Sequence, residues 1–233
     1  MEVINAKNLF DKETGLLFHA LDPKNSRDEE TIKQTFNSPS WSSDNIKRFL
    51  TPLSDEPLGT SLILGSRWGS MLYAIYDTKA SEFEVVGTTM LVPNSPIIGR
   101  PELKKYFYEN KANLNQPHTD PSILTLKQAL RLLNEDSRGL YIHALGVASN
   151  KTADNYYSTE EKPHYGTKIF RLVAENCSKF NPESEPLCTM ASISMLNNPS
   201  IRACSKAGFA TTPDIAPNGY FSFYSMNEEA FTF

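Results

Sequence analysis

Gly139-Leu-Tyr-Ile-His-Ala-Leu-Gly-Val-Ala-Ser149 is the stretch on which this chain turns. Its length and its apolar and aromatic residues predict a strand. Strand alternation sets Tyr141, His143 and Leu145 on one face, and Ile142, Ala144 and Gly146 on the other. A histidine inside so apolar a run is either a hydrogen-bonded structural residue or a placed functional one. Gly146 says more. A glycine within a strand marks a bulge or a close approach of the backbone to a ligand. A bulge frees N–H groups that can bind a carbonyl oxygen and the negative charge that develops on it.

Downstream, strands and helices alternate. A polar loop leads into a helix that places Ile169, Leu172, Val173, Cys177 and Phe180 on one face. Leu187–Ser194 predicts a strand, Pro199–Ala207 a helix and Gly219–Met226 an aromatic strand. The entry to the first of these helices reads Glu161-Lys-Pro-His-Tyr-Gly-Thr-Lys168. Free N–H groups at a helix start attract phosphate. Gly166 lets the backbone come close, and Lys162, His164 and Lys168 add positive or titratable groups. An ordinary helix start explains the same residues. In the second helix Asn198 can cap, Pro199 suits the first turn and Gly208 suits the C-terminal cap.

Upstream, Leu16–Leu21 predicts an opening strand. Ser26-Arg-Asp-Glu29 fits a capping box ahead of Ile32 and Phe36, and Trp41, Ile46, Phe49 and Leu50 indicate a second short helix. Strands are expected at Ser61–Leu64, Met71–Tyr76 and Phe83–Leu91, the last two forming a hairpin through the polar turn Asp77–Glu82. Residues 93–137 look like an insertion between strands. It holds a helix near Leu103–Asn110 and a second one capped by Thr125 and Gln128, with Leu126, Ala129, Leu130 and Leu133 as its apolar stripe.

The bulk composition narrows the classes. The chain has 233 residues, 39% of them hydrophobic, which is enough for a real core. A net charge of −4 carries no basic footprint for nucleic acid. Cys177, Cys188 and Cys204 have no Cys-x-x-Cys spacing, so neither a metal site nor a disulfide framework is expected, and a reducing compartment fits. Met1–Lys7 lacks a basic segment followed by an apolar run, and the charge-free stretch from Pro186 to Ile201 is broken by polar residues and Pro. A cytoplasmic protein without a membrane segment is expected.

Two patterns resemble the GNAT superfamily of acyl-CoA-dependent N-acyltransferases. One is Asn-x-x-Ser followed by a helix and Gly-Phe, met here by Asn197, Ser200, Gly208 and Phe209. The other is His143-Ala-Leu-Gly-Val147, similar to the His-x-His-Ala-Leu-Ala-Val fourth strand of arylalkylamine N-acetyltransferases, with Tyr141 where that pattern has its first His. The resemblance runs over about Leu62–Met226 and is best from Leu140 to Phe209. It implies one α/β domain over 1–233, with a central mixed, mostly antiparallel sheet flanked by helices and a helical insertion before the fourth strand. It implies acetyl-CoA as cosubstrate. The backbone of Leu145, Gly146 and Val147 would contact pantetheine and thioester. Lys162, His164, Tyr165, Gly166 and Thr167 would hold the pyrophosphate, and Asn197 and Ser200 would complete the cofactor site.

The chain departs from the family in two places. The family loop is Gln/Arg-x-x-Gly-x-Gly/Ala. With Gly166 in its last position, Glu161 and His164 stand where Gln/Arg and Gly are usual; with Gly166 as the first glycine, Pro163 and Lys168 take the outer positions. Many relatives also carry a tyrosine in the last helix as general acid. Cys204 stands near that place, either as proton donor to the CoA sulfur or as a small core residue.

These residues define an expected chemistry. A primary amine with a pKa of about 10 must lose a proton before it attacks a thioester. A histidine, titrating at about 6.5 in model peptides, is suited to take it directly or through water, and Tyr141 on the same face can orient that water. The acceptor is expected to be a small-molecule amine, the alternative being a protein N-terminus or lysine. A non-catalytic acyl-CoA-binding module is a further alternative, and a homodimer is left open.

Overall fold

The structure is a computed structural model that describes residues 1–5, 8–21, 25, 28, 71–80, 85–116, 120–147, 164–181 and 185–227. The helix expected after Ser26 (apart from Asp28, which is helical), the helix expected near Trp41–Leu50, the strand at Ser61–Leu64 and the loop with Lys162 lie outside the described residues. The chain forms two compact units. One comprises Met1–Val92 with Ala144–Gly166, and the other Pro93–His143 with Thr167–Phe233.

The first unit is an antiparallel meander of β1 (Glu2–Asn5), β2 (Asn8–Asp11), β3 (Leu16–Ala20), β4 (Met71–Asp77) and β5 (Val85–Pro96), neighbours in that order. β3 and β4 lie where the sequence places them. β1 and β2 were not anticipated, because four-residue strands rich in Asn, Asp and Glu give too short an alternation to detect. The turn between β2 and β3 is tied locally: the Asp11 carboxylate accepts from the Thr14 N–H and hydroxyl, each at 2.8 Å. Leu16 and Phe18 of β3 and Ala74 and Ile75 of β4 are completely buried, and Phe18 meets Tyr73 edge-on at 6.4 Å. β5 pairs with β4 from Val85 to Leu91, as the hairpin expectation requires, but continues to Pro96 rather than stopping at Leu91.

The second unit is built on β6 (Arg138–Val147), which pairs in parallel with β7 (Cys188–Ser194); β7 pairs antiparallel with β9 (Tyr220–Met226), and the short β8 (Ala210–Thr211) closes that edge. The helices are α1 (Arg100–Asn110), α2 (Leu126–Leu132), α3 (Tyr165–Glu175) and α4 (Asn198–Lys206). The fold is thus mixed α/β with a mostly antiparallel sheet, and α1 and α2 form the insertion ahead of β6. β5, β6 and α3 contribute residues to both units.

The insertion earns its place by burial. Ile97, Leu103, Tyr106, Leu124, Leu126, Ala129 and Leu132 form one core cluster with Cys188 and Met190 of β7 and Tyr224 of β9. α2 starts with the expected capping box: Thr125 Oγ1 accepts from the Gln128 N–H at 3.1 Å, and Gln128 Oε1 accepts from the Thr125 N–H at 2.9 Å. The expected stripe is corrected in detail. Leu132 is buried and Leu130 is 46% exposed, because the buried face is centred on Ala129 and Leu130 lies about 100° round the helix from it. On β7, Thr189, Ala191 and Ile193 point to the opposite face from Cys188 and Met190 and are buried too, so this strand is covered on both faces. α3 and the following 3-10 turn bury Ile169, Leu172, Val173, Cys177 and Phe180 as expected. No helix among the described residues is long and apolar enough to cross a membrane.

Candidate active site

β6 is the strand from which the site is built. Its parallel ladder with β7 joins Leu140, Tyr141 and Ile142 to Thr189, Met190 and Ala191, and ends there. The strand itself continues five residues further, to Val147. Ala144, Leu145 and Gly146 are half-buried and Val147 is 39% exposed. On the other side, Thr89 of β5 donates its hydroxyl to the Ala144 carbonyl at 3.1 Å.

His143 and Tyr141 share a face of β6, as alternation requires. Their rings meet edge-to-face with centroids 5.7 Å apart. His143 is exposed and Tyr141 half-buried. Burial, with a smaller contribution from Tyr220, pushes the Tyr141 phenol above its ordinary value, so it stays a neutral hydroxyl.

At the start of α3, His164 is exposed just ahead of the first turn. Tyr165 is buried, and its hydroxyl donates to the Asp77 carboxylate at the end of β4, 2.8 Å away. The ring therefore anchors the helix start. Gly166 and Thr167 follow, half-buried, and the first turn holds no acidic side chain. A helix start of this kind carries free N–H groups and a partial positive charge, and its first turn adds no carboxylate of its own.

α4 differs from expectation at its cap. Asn197, not Asn198, is the cap residue: its Oδ1 accepts from the Ser200 N–H at 3.2 Å, and Asn198 and Pro199 are the first two helical residues. Pro at that second position leaves the cap one residue earlier than the spacing alone indicated. Asn197 and Ser200 are thus engaged with each other. The helix ends at Gly208, whose φ of +90° is one that only glycine adopts easily. Phe209 then packs on Phe170 of α3 at 5.7 Å. Cys204 is completely buried, and burial pushes its thiol far above the usual range. It takes a core position.

A cavity of about 430 Å³ in the second unit went unseen in the sequence. Tyr141 lines it, together with Gly99, Pro101 and Glu102 at the start of α1 and Tyr220 and Ser222 of β9. These residues come from three distant stretches. The Gly-x-Pro-Glu run at 99–102 signals a helix start but gives no hint of a cavity. Gly99 is required there: its φ is +63°, and a Cβ would sit 2.5 Å from Ser222 Oγ and 2.6 Å from the Tyr224 hydroxyl oxygen. Among the described residues, no group of His, Cys, Asp and Glu is placed to hold a metal ion.

No protein-family model matches the chain, and no curated protein matches it by sequence. Among solved structures it is similar to the aminoglycoside acetyltransferase AAC(6')-Ib in complex with coenzyme A and kanamycin, at 14% identity over 91% of this chain and 95% of that one, TM-score 0.48. It is also similar to a mutant of the spermidine N-acetyltransferase SpeG from Vibrio cholerae, at 11% identity over 94% and 97%, TM-score 0.48. A third is the GNAT domain of PAT from S. lividans, at 11% identity over 94% and 96%, TM-score 0.49. Likenesses of this size carry no residue roles from those proteins to this one.

Proposed function

We propose that the protein is an acetyl-CoA-dependent N-acetyltransferase that transfers the acetyl group directly to a primary amine of a small molecule. The observation that supports it best is that the ladder of β6 with β7 ends at Ile142, although the strand runs on to Val147 with β5 as its neighbour on the other side. The amides of Leu145, Gly146 and Val147 lie on that continuation, two to four residues past an exposed His143, within the pattern His-Ala-Leu-Gly-Val.

Acetyl-CoA supplies a thioester whose carbonyl carbon accepts the amine. The chain's own groups fit its two ends. N–H groups between Leu145 and Val147 bind the carbonyl oxygen and the charge that grows on it during attack. The start of α3, from His164 to Thr167, offers N–H groups to the pyrophosphate, with no acidic residue in its first turn. His143 accepts a proton from the ammonium of the substrate, directly or through a water held by the Tyr141 hydroxyl. The freed nitrogen forms the C–N bond, the C–S bond breaks, the nitrogen releases its second proton to solvent as the amide forms, and the sulfur takes a proton from solvent. Cys204 has no part in this proposal.

The test is release of free thiol from acetyl-CoA in the presence of small amines or of peptides, with the acetylated product identified by mass spectrometry. Turnover with small amines supports the proposal. Turnover with peptides alone makes the protein a peptide acetyltransferase, and CoA binding without thiol release on any amine overturns catalysis.

A further inference from the structure

We propose that the cavity between α1 and β9 binds the non-reacting, cationic end of the amine substrate, so that the preferred acceptor is an aliphatic amine with a second positive charge. This rests on the acetyltransfer reading for the reaction but on separate residues for recognition.

Among the described residues, Glu102 is the only charged one lining the cavity. It sits in the first turn of α1, where the helix dipole favours a carboxylate. Among the described residues it has no hydrogen-bond or ion-pair partner. Two cations of the same helix, Lys105 one turn along from Glu102 and Arg100 at the helix start, are engaged elsewhere. Arg100 donates to the carbonyls of Leu133 and Asn134, at 3.3 and 3.0 Å. Lys105 pairs with Asp214 at 2.7 Å. The carboxylate is therefore left to a ligand. The lining around it also includes the aromatic side chains of Tyr141 and Tyr220, groups that attract a cation, and the apolar Pro101, which suits a short alkyl chain.

Electrostatics decides which end of the substrate belongs here. A carboxylate beside the reacting nitrogen would favour its ammonium form and oppose the loss of the proton that attack requires. Beside a second ammonium, it adds binding without that cost. Tyr141 links the two functions: it lines the cavity, and its ring touches His143. Glu102 is thus a specificity residue, distinct from the proton acceptor.

The experiment is calorimetric titration of 1,5-diaminopentane and 1-aminopentane into the wild-type protein and into Glu102→Gln, with thermal melting to verify that the variant is folded. The expected result is a diamine affinity at least about tenfold above that of the monoamine, with the difference lost in Glu102→Gln. Tyr220→Leu, which keeps the charge but removes a ring, is expected to weaken the diamine a few-fold. Equal affinities in the wild type, or a preference that survives Glu102→Gln, overturn the inference. The two readings fail separately. A diamine preference that depends on Glu102 without any acetyl transfer sustains the cavity's role and overturns the enzyme. Acetyl transfer by the wild type with no preference for the diamine does the reverse.

Discussion

At the residue scale, the chemistry concentrates on His143. It is exposed on β6, with Tyr141 as its ring neighbour. Replacing it with Ala removes the proton acceptor but no part of the backbone that would hold the thioester. His143→Ala is therefore expected to lower kcat by about 100-fold or more, with the Kd for CoA unchanged within about twofold. Stopped-time thiol release at saturating substrate, paired with CoA titration, measures both; undiminished kcat removes His143 from the mechanism. His143 was legible in the sequence because a polar ring within an apolar strand is conspicuous. The environment of Cys204 was not. A cysteine in an amphipathic helix reads equally as a reactive thiol or a core residue, and only three-dimensional packing reveals that no solvent reaches it.

At the element scale, the start of α3 depends on a contact that no local pattern announces. Tyr165 and Asp77 are 88 residues apart, and both are buried where they meet. Tyr165→Phe keeps the ring and deletes the donor, leaving a buried carboxylate with one bond fewer; the Lys79 N–H still reaches its Oδ1 at 2.8 Å. The expected cost is about 1–3 kcal/mol, read by urea unfolding. If that contact also sets the angle of the helix start, CoA affinity falls in the same variant. A stability equal to wild type would show that the bond contributes nothing net. The elements themselves were largely legible. Among the described residues, periodicity and capping signals placed β3, β4, β6, β7, β9 and the helices α1 to α4, because each has enough residues to display a pattern. β1, β2 and β8, of four, four and two residues, do not.

At the scale of the whole molecule, a ligand that binds only the folded chain must raise its stability. Acetyl-CoA at about 100 times its Kd is expected to add about 2.7 kcal/mol, which raises the Tm by several degrees. Differential scanning fluorimetry with acetyl-CoA, and with adenosine as a control, checks this; identical melting with and without acetyl-CoA would leave the site reading unsupported. By itself, the sequence determined the longer strands and the helices of the described residues, the mixed α/β class, the capping box at Thr125 and the strand carrying His143. Each of these is written in neighbours three or four residues apart, or in a two-residue alternation, and local chemistry suffices to specify it. Tertiary structure alone decided where the ladder of β6 stops, that Tyr165 anchors on Asp77, that Asn197 rather than Asn198 caps α4, and that Glu102 faces a cavity with Tyr141 and Tyr220. Apart from the cap, these depend on residues tens of positions apart, and the free energy that brings them together comes from burying the core clusters and not from any motif at the sites themselves.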